Sequence, residues 1–565
     1  MQAIYNIAEI CARKNIRNIV LSPGSRCAPI TLAFARHPEI ICKTISDERS
    51  AAFIAIGISQ QTNLTTGLVC TSGSAAYNYA PAVAEAYYQQ IPLLIITADR
   101  PPEWIDQLDG QTIRQNEIFG KHVKKSYSLP VEDDHPYTIW YIERQISEAI
   151  NCCQEKPWGP VHINIPLREP LYPTEEISFD KNIKIINRSE RFYELPDSVW
   201  NELFDEFHSH QNILIVAGQF QPSTQFVKIM EEVLDNFPVV FAADVISNFH
   251  GVKGVIKYHD TFLGDEAVVK ALLQADLLIT FGKSLISKNL KMFLRKFKPK
   301  VHWHIQEAGY VADTFQSLNK VIPVAPDYFF EQLNIDKLIG TVETSYTDLW
   351  QALDKKAQVK INDFFQIKNP FNEFTATQII LKQIPSNTVV HLSNSMPVRY
   401  VNYLGFKHDS QIEVFANRGT SGIDGVMSTA YGAAISTNRL VTVIIGDMAF
   451  FYDRNAFWNN YLPTNLRIVV LNNHGGGIFR MIDGPAEQPE FVKYFETVQT
   501  LKAASLAREF DLDYFHCDTF EKLDLAIPQF FEMAGKSKII EIETNTTTNK
   551  EIFYHFKKTI NNNHG

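Results

Sequence analysis

The chain has 565 residues, of which 45% are hydrophobic and 21% charged, and its formal net charge is −10. This length predicts roughly three or four domains, and the negative charge argues against a protein that binds nucleic acid or anionic membranes. No apolar run approaches the roughly 18 to 20 residues that span a bilayer, and the first residues carry charges where a signal peptide needs an apolar core. The seven cysteines are an odd number without metal-ligand spacing, which favours free thiols in the cytoplasm over disulfides or a catalytic thiol.

The first block of the chain, to about residue 178, alternates short apolar runs with helix-like stretches. Each run stops at a polar or glycine-containing turn. The predicted strands cover residues 19–21, 41–45, 68–70 and 93–97. This alternation predicts a parallel sheet with helices on both faces. The stretch 168–191 is polar and predicts a linker.

Two further blocks repeat the alternation. The second, at about 200–340, has predicted strands at 213–217, 239–242, 277–281 and 301–305, and no GxGxxG fingerprint. The third, from about 345, has predicted strands at 388–392, 413–416, 440–445 and 467–471. We therefore predict an α/β protein with three doubly wound parallel sheets, in domains 1–178, 179–345 and 346–565. Ligands of such sheets bind at the carboxyl ends of the strands.

Two strand ends in the third block carry oxygen ligands. Asp447 directly follows one predicted strand, and Asn472 and Asn473 follow the next, with one predicted helix at 449–461 between them. Neighbouring strands lie about 4.8 Å apart, so these ends can share one ion. Carboxylate, amide and carbonyl oxygens suit Mg²⁺, and the glycines at 475–477 let backbone N–H groups approach a diphosphate. The alternative is a helix-capping aspartate followed by a turn with two asparagines.

This pattern resembles the Mg²⁺–diphosphate motif of thiamine-diphosphate enzymes. The resemblance implies that Asp447, Asn473 and Gly475 bind Mg²⁺, or Mn²⁺ in its place. It also implies a catalytic glutamate that hydrogen-bonds the aminopyrimidine ring of thiamine diphosphate, and Glu48 stands where the family carries it. Taken alone, Glu48 would be a first-turn helix acid favoured by the helix dipole.

Further motifs appear in the family's order and match one branch of it, which acts in menaquinone biosynthesis. They are SPGSR (22–26), DERSA (47–51), CTSGSAA (70–76), TADRPPE (97–103), Gln111, SNSMPVR (393–399), NRGTSGIDG (417–425), GD (446–447) and NNHGGGIF (472–479). In that branch, 2-oxoglutarate is decarboxylated and the remaining fragment is added in a 1,4 sense to isochorismate. The resemblance makes the first block the pyrimidine-binding domain, the second a Rossmann-like structural domain and the third the diphosphate- and Mg²⁺-binding domain.

The matched motifs imply a set of cofactor contacts. These residues are Glu48, Thr71, Ser72, Gly73, Ser421, Gly422, Ile423, Gly446, Asp447, Met448, Asn473, Gly475 and Gly476. Ile423 would be the apolar wedge that keeps the cofactor bent, although an ordinary core aliphatic is the plainer interpretation. His474 is expected to be a loop histidine beside the diphosphate and not a catalytic group.

Both implied substrates carry two carboxylates, which calls for several cations, preferably arginine with its bidentate fork. The implied substrate-binding residues are Ser25, Arg26, Arg100, Gln111, Lys288, Ser395, Arg399, Arg418, Ile478 and Phe479. Taken singly, each arginine could be a surface or capping residue, and Ile478 and Phe479 could be core. Asn289 stands where some members of the family have arginine, which puts the acceptor contacts in doubt.

The resemblance also implies a homodimer, or a dimer of dimers, with active sites between subunits. Two alternatives stay open. One is another thiamine-diphosphate carboligase or decarboxylase that acts on pyruvate-like acids, whose site would need fewer cations. The other is a non-catalytic protein of the same fold, which loss of Glu48, Asp447 or Asn473 would favour, but all three are present.

Overall fold

The computed structural model describes residues 1–189, 191–265, 268–335, 344–406, 411–482, 484–533 and 535–561. These residues form three parallel sheets, each covered by helices, so the predicted fold class is confirmed. All twelve predicted strands are present within a residue or two of their expected bounds. The predicted helix 449–461 was wrong in length, because the helix there ends at Tyr452 and a 3-10 turn, Arg454–Phe457, follows it.

The first sheet has the strand order β2-β1-β3-β4-β6-β5. Its elements are α1 (Gln2–Arg13), β1 (Asn18–Leu21), α2 (Ala28–Arg36), β2 (Ile41–Thr44), α3 (Glu48–Thr62), β3 (Thr66–Cys70), α4 (Ser74–Asn78), α5 (Ala80–Gln89), β4 (Leu93–Asp99), β5 (Ser126–Ser128), α6 (Pro136–Gln154) and β6 (Val161–Pro166). The polar stretch after β6 has no helix or strand among its described residues, and it packs along this domain through Leu171 and Ile183.

The middle sheet has five strands in the order β11-β10-β9-β7-β8. Its elements are α7 (Asp197–His208), β7 (Ile213–Ala217), α8 (Thr224–Asn236), β8 (Val239–Ala243), α9 (His259–Phe262), β9 (Leu277–Phe281), α10 (Lys288–Lys296), β10 (Val301–Ile305), β11 (Lys320–Ile322) and α11 (Pro326–Ile335). The next helix, α12 (Ser345–Phe364), packs Tyr346 and Trp350 into the core of this domain.

The third sheet has the order β13-β12-β14-β15-β17-β16, which repeats the order of the first sheet strand for strand. Its elements are α13 (Glu373–Gln383), β12 (Val389–Leu392), α14 (Met396–Leu404), β13 (Glu413–Phe415), α15 (Val426–Ala434), β14 (Val441–Gly446), α16 (Asp447–Tyr452), β15 (Leu466–Asn472), α17 (Ile478–Met481), α18 (Ala503–Glu509), β16 (Asp513–Cys517), α19 (Phe520–Phe531), β17 (Lys538–Glu543) and α20 (Thr546–Asn561).

One apolar core joins the first and third domains, because α3 and α15 are buried against each other. Two glycines allow this approach. A Cβ built on Gly57 would lie 2.0 Å from the carbonyl oxygen of Thr429, and one built on Gly432 would lie 2.1 Å from that of Ile54. The backbones of the two helices therefore meet directly at these glycines. This contact fixes how the strand ends of the two outer sheets face each other.

In the part of the chain that the structure describes, no helix is both long and apolar enough to cross a membrane.

Candidate active site

The carboxyl ends of the third sheet bring the predicted ion ligands together. Gly446 pairs with Leu471 in the β14–β15 register, so Asp447 lies beside the two asparagines that follow. Asp447 is the first residue of α16 and is 2% exposed. Gln499 Nε2 donates to its Oδ2 over 2.7 Å, and the backbone N–H groups of Met448 and Gly475 donate to the same carboxylate. Burial nevertheless raises the pKa of Asp447 to about 6.

Asn473 is held by a carboxylate that lies 100 residues earlier in the chain. Its Nδ2 donates to Oε1 of Glu373 over 2.7 Å, and the hydroxyl of Tyr400 donates to the other oxygen over 3.3 Å. Burial raises the pKa of Glu373 to about 7. Because the amide nitrogen is engaged, the amide oxygen of Asn473 is turned away, and it is buried without a hydrogen-bond partner in the described structure. Such an acceptor suits a cation.

The turn after β15 has the close backbone that a diphosphate requires. His474 has a φ of 62°, and its Nε2 lies 2.9 Å from Oε1 of Glu543. A Cβ on Gly475 would lie 2.8 Å from the carbonyl oxygen of Glu496, and one on Gly477 would lie 2.8 Å from Nδ2 of Asn473. Side chains at these positions would therefore displace the turn. One carboxylate, one unpartnered amide oxygen and a glycine-rich backbone fit a Mg²⁺–diphosphate group.

Two arginines follow β12 and β13 at the carboxyl-end edge of the third sheet: Arg399 lies in α14, and Arg418 lies in the turn after β13. Arg399 donates from Nη1 to the carbonyl oxygen of Ser395, a residue with a φ of 76°. Arg418 donates from Nη1 to Oδ1 of Asn394 over 2.8 Å. Burial lowers the pKa of both, and the positive charge of Arg399 lowers that of Arg418 further. Two positively charged side chains thus lie near each other at the carboxyl-end edge of the third sheet.

The middle domain places two acids near these arginines, and it also carries the predicted Lys288. Asp260 lies close enough to Arg399 to oppose the fall in its pKa, and Asp244 does the same for Arg418. Lys288 is exposed at the start of α10. Its neighbour Asn289 turns inward and donates from Nδ2 to the carbonyl oxygen of Asp260 over 2.6 Å, so it takes part in the packing of α9 against α10.

The first domain gathers a second group of predicted residues at the ends of β1, β3 and β4. The turn that holds Ser25 contacts Thr71, because a Cβ on Gly24 would lie 2.3 Å from Cβ of Thr71. Gly73 approaches Gln111, whose φ is 58°. The hydroxyls of Thr71 and Ser72 are buried without a hydrogen-bond partner in the described structure, so they could bind a polar ligand.

The two predicted substrate-binding arginines of the first domain, Arg26 and Arg100, differ in their hydrogen bonds. Arg100 donates from Nη2 to the carbonyl oxygen of Gly110 over 2.9 Å, next to Gln111. Arg26 is buried, donates from Nη1 to the carbonyl oxygen of Leu167 over 2.8 Å and lies 3.4 Å from Glu169. Its described bonds therefore serve its own domain.

Glu48 is half-buried at the start of α3, but it is separated from Asp447 within one chain. Its neighbours contact the far end of α16: Arg49 donates to the carbonyl oxygen of Tyr452 over 2.8 Å, and Asp47 accepts from Asn455 over 2.7 Å. Asp447 begins that helix, which has six residues.

The predicted apolar residues lie at the edge of the third domain. Ile423 is 41% exposed and follows Ser421, which has a φ of 61°. Ile478 packs against the core of the third domain, and the ring of Phe479 lies 6.2 Å from that of Phe495. Gly422 lies in the turn between β13 and α15, and Gly446 is the last residue of β14. Gly476 donates its N–H to the carbonyl oxygen of Glu496 over 2.7 Å.

Three polar residues at the site were missed from the sequence: Glu373, Gln499 and Glu85. None lies in a matched motif, and Glu85 accepts hydrogen bonds from the turn after Arg418. For Glu85, the only signal in the sequence was a charged residue within an otherwise apolar helical stretch. Gln499 gave no local signal.

The fold and the two strand-end groups define a thiamine-diphosphate-dependent enzyme. Residues 1–122 match the family model of the N-terminal thiamine pyrophosphate-binding domain of thiamine pyrophosphate enzymes, and residues 191–392 match that of the thiamine pyrophosphate middle domain.

Relatives that match over nearly the whole chain identify one family within this class of enzymes. A 2-succinyl-5-enolpyruvyl-6-hydroxy-3-cyclohexene-1-carboxylate synthase of Cytophaga hutchinsonii is 48% identical, with 99% of each chain covered. Synthases of the same name from Flavobacterium psychrophilum and Christiangramia forsetii are 40% and 38% identical, with 98% of each chain covered. The chain belongs to the 2-succinyl-5-enolpyruvyl-6-hydroxy-3-cyclohexene-1-carboxylate synthase family, which confirms the resemblance seen in its motifs.

Proposed function

We propose that this enzyme decarboxylates 2-oxoglutarate and joins the remaining four-carbon unit to isochorismate, giving 2-succinyl-5-enolpyruvyl-6-hydroxy-3-cyclohexene-1-carboxylate for menaquinone biosynthesis. The family membership supports the reaction. The observation that supports the substrate assignment is the pair Arg399 and Arg418, two partly buried cations that lie close enough for the charge of Arg399 to lower the pKa of Arg418. Such a pair is stabilised by a ligand with more than one carboxylate. A pyruvate-like acid has a single carboxylate and would engage fewer of these cations.

The cofactor roles rest on the third-domain turn. Asp447, the amide oxygen of Asn473 and the carbonyl oxygen of Gly475 would hold Mg²⁺, or Mn²⁺ in its place, and the backbone of the glycine turn would bind the diphosphate. Thiamine diphosphate, when bound, supplies the carbon nucleophile and the electron sink for loss of CO₂. Glu48 would exchange a proton with the aminopyrimidine ring, and Thr71, Ser72 and Gly73 would bind the same ring.

The position of Glu48 supports a homodimer with active sites between subunits. Within one chain its neighbours contact the end of α16 opposite Asp447. A glutamate supplied by a second copy resolves this separation. Tyr452 and Trp458, near the same end, are 51% and 56% exposed, as residues of an interface would be in a single chain. The seven cysteines are all free thiols, which supports a cytoplasmic location.

The test is turnover by the purified protein with thiamine diphosphate and Mg²⁺. We expect 2-oxoglutarate and isochorismate to be consumed together, with release of CO₂ and an adduct detected by mass spectrometry. Pyruvate serves as the control donor. Turnover of pyruvate but not 2-oxoglutarate would replace the donor assignment, and tight cofactor binding without any turnover would favour a non-catalytic protein.

A matched variant tests the proton role separately from binding. Glu48→Gln keeps the size of the side chain but cannot carry the proton. We expect a loss of turnover of about a hundredfold or more, while calorimetry shows cofactor binding within a few-fold of wild type. Equal turnover by Glu48→Gln would remove Glu48 from the chemistry.

A further inference from the structure

We infer that Glu85 is a positioning residue: it clamps the turn that carries Arg418 and the 421–423 segment, and through it the first domain sets the substrate site of the third. Glu85 lies on α5 and is 1% exposed. The turn it holds runs from Arg418 to Ile423, between β13 and α15, and is called the clamped turn below. This inference rests on the proposed function only for the identity of the substrate.

The carboxylate of Glu85 accepts hydrogen bonds from its own domain and from the third domain. Oε1 accepts the backbone N–H of Gly419 over 2.8 Å and also the side-chain amide of Gln89. Oε2 accepts both the backbone N–H and the hydroxyl of Thr420, each over 2.6 Å. Four donors therefore satisfy one buried charge, as a buried carboxylate requires. Three of the four come from the clamped turn.

The clamped turn needs support from other elements because its backbone includes a residue in an unfavourable conformation. Ser421 has a φ of 61°, a conformation that costs a non-glycine residue free energy. A Cβ on Gly419 would lie 2.6 Å from the carbonyl oxygen of Glu85, so the turn and α5 are in backbone contact. From the other side, Asn394 Nδ2 donates to the carbonyl oxygen of Gly422 over 2.7 Å. The turn is thus held from two domains.

The middle domain joins the same contact. Gln219 Nε2 donates to Oε1 of Gln89 over 3.1 Å and to the carbonyl oxygen of Ala416 over 2.9 Å. Lys283 Nζ donates to the carbonyl oxygen of Gln89. All three domains therefore meet at Glu85, Gln89 and the clamped turn. The position of Arg418 depends on the fit between domains and not on the third domain alone.

The consequence for function is specific. Loosening the clamp should move Arg418 and so weaken binding of the dicarboxylate, while leaving Asp447 and Asn473, on a different turn, unaffected. We expect the apparent KM for 2-oxoglutarate to rise about tenfold, a larger change than in kcat. Amide exchange in the peptide that covers 416–423 should become about tenfold faster.

The experiment compares Glu85→Gln with a control at another buried glutamate of the same domain. Glutamine has one acceptor oxygen, so two of the four donors lose their partner and an N–H group faces N–H donors. Glu143→Gln is the control, since Glu143 is also buried and accepts hydrogen bonds from Asn6 and from the backbone N–H of Lys184, neither of which belongs to the clamped turn. Hydrogen exchange measured by mass spectrometry and steady-state kinetics are recorded for both.

The outcomes separate the clamp from the proposed function. Faster exchange at 416–423 in Glu85→Gln but not in Glu143→Gln supports the clamp even if 2-oxoglutarate is not the substrate. Unchanged exchange there overturns it even if 2-oxoglutarate is turned over normally. If Glu85→Gln does not fold, Thr420→Val removes only the hydroxyl donor and should give a smaller change in the same direction; no change in exchange with that variant also overturns the clamp.

Discussion

Asp453 should make the enzyme lose stability as the pH rises, and Asp453→Asn should remove that loss. The side chain is fully buried behind α15. Its Oδ2 accepts the N–H of Ser428 over 2.6 Å and its Oδ1 accepts the hydroxyl of Ser428 over 2.8 Å. Burial raises the pKa of Asp453 from 3.8 to about 7, although the Ser428 bonds and the charge of Arg49 act in the opposite direction.

The sign and size follow from proton linkage. The folded protein holds this proton more tightly than the unfolded chain, so the stabilisation is complete below the unfolded pKa and is lost as the pH rises through the folded one. Each pH unit in that interval is worth about 1.4 kcal/mol. Between pH 5 and pH 7 the wild type should therefore lose up to about 3 kcal/mol relative to Asp453→Asn, and the difference should stay constant above that range.

The assay is urea denaturation of both proteins from pH 5 to pH 8, analysed as the difference between them, so that the other carboxyl groups cancel. Ser428→Ala is the control, because it removes a donor but keeps the titrating carboxyl and should retain the wild-type slope. A difference between wild type and Asp453→Asn that is flat from pH 5 to pH 7 would refute the reasoning.

Three other changes test the packing and the site. Gly432→Ala puts a Cβ 2.1 Å from a backbone oxygen and should cost about 1–3 kcal/mol, seen as a lower Tm, whereas Gly110→Ala, with open space around it, should not. Glu373→Leu removes the acceptor that turns Asn473 and should weaken Mn²⁺ binding, measured by electron paramagnetic resonance, about tenfold; Glu373→Gln should restore most of it, and equal binding by all three proteins would contradict the role. Arg399→Ala should raise the KM for 2-oxoglutarate ten- to a hundredfold with little change in cofactor affinity, and equal losses in both would indicate a structural arginine.

The residues predicted from local motifs are those whose environment is written in the neighbouring sequence. Asp447 and Asn473 follow apolar runs directly, and parallel strand ends meet at one edge whatever the details of packing. The twelve strands were found for the same reason. By contrast, β5 has only three residues, and β16 contains no aliphatic residue, so their apolar signal was weak.

The supports of the site could not be predicted, because they are single polar residues brought in over long distances. Glu373 precedes its partner Asn473 by 100 residues, and Glu85 precedes Thr420 by 335. Nothing near either residue in the sequence specifies that partner. The hydrogen bond from Arg26 to Leu167 could not be predicted for the same reason, since it joins the turn after β1 to the end of β6, and β3 and β4 lie between these strands in the sheet.

The matched strand orders of the outer sheets give the α3–α15 contact a further meaning. Gly57 and Ile54 on α3 have the same spacing as Gly432 and Thr429 on α15. Gly57 meets the carbonyl oxygen of Thr429, and Gly432 meets that of Ile54. This reciprocity is that of an isologous interface between two identical subunits. The two outer domains of this one chain therefore meet as two identical subunits would, through matching helices that contact each other reciprocally.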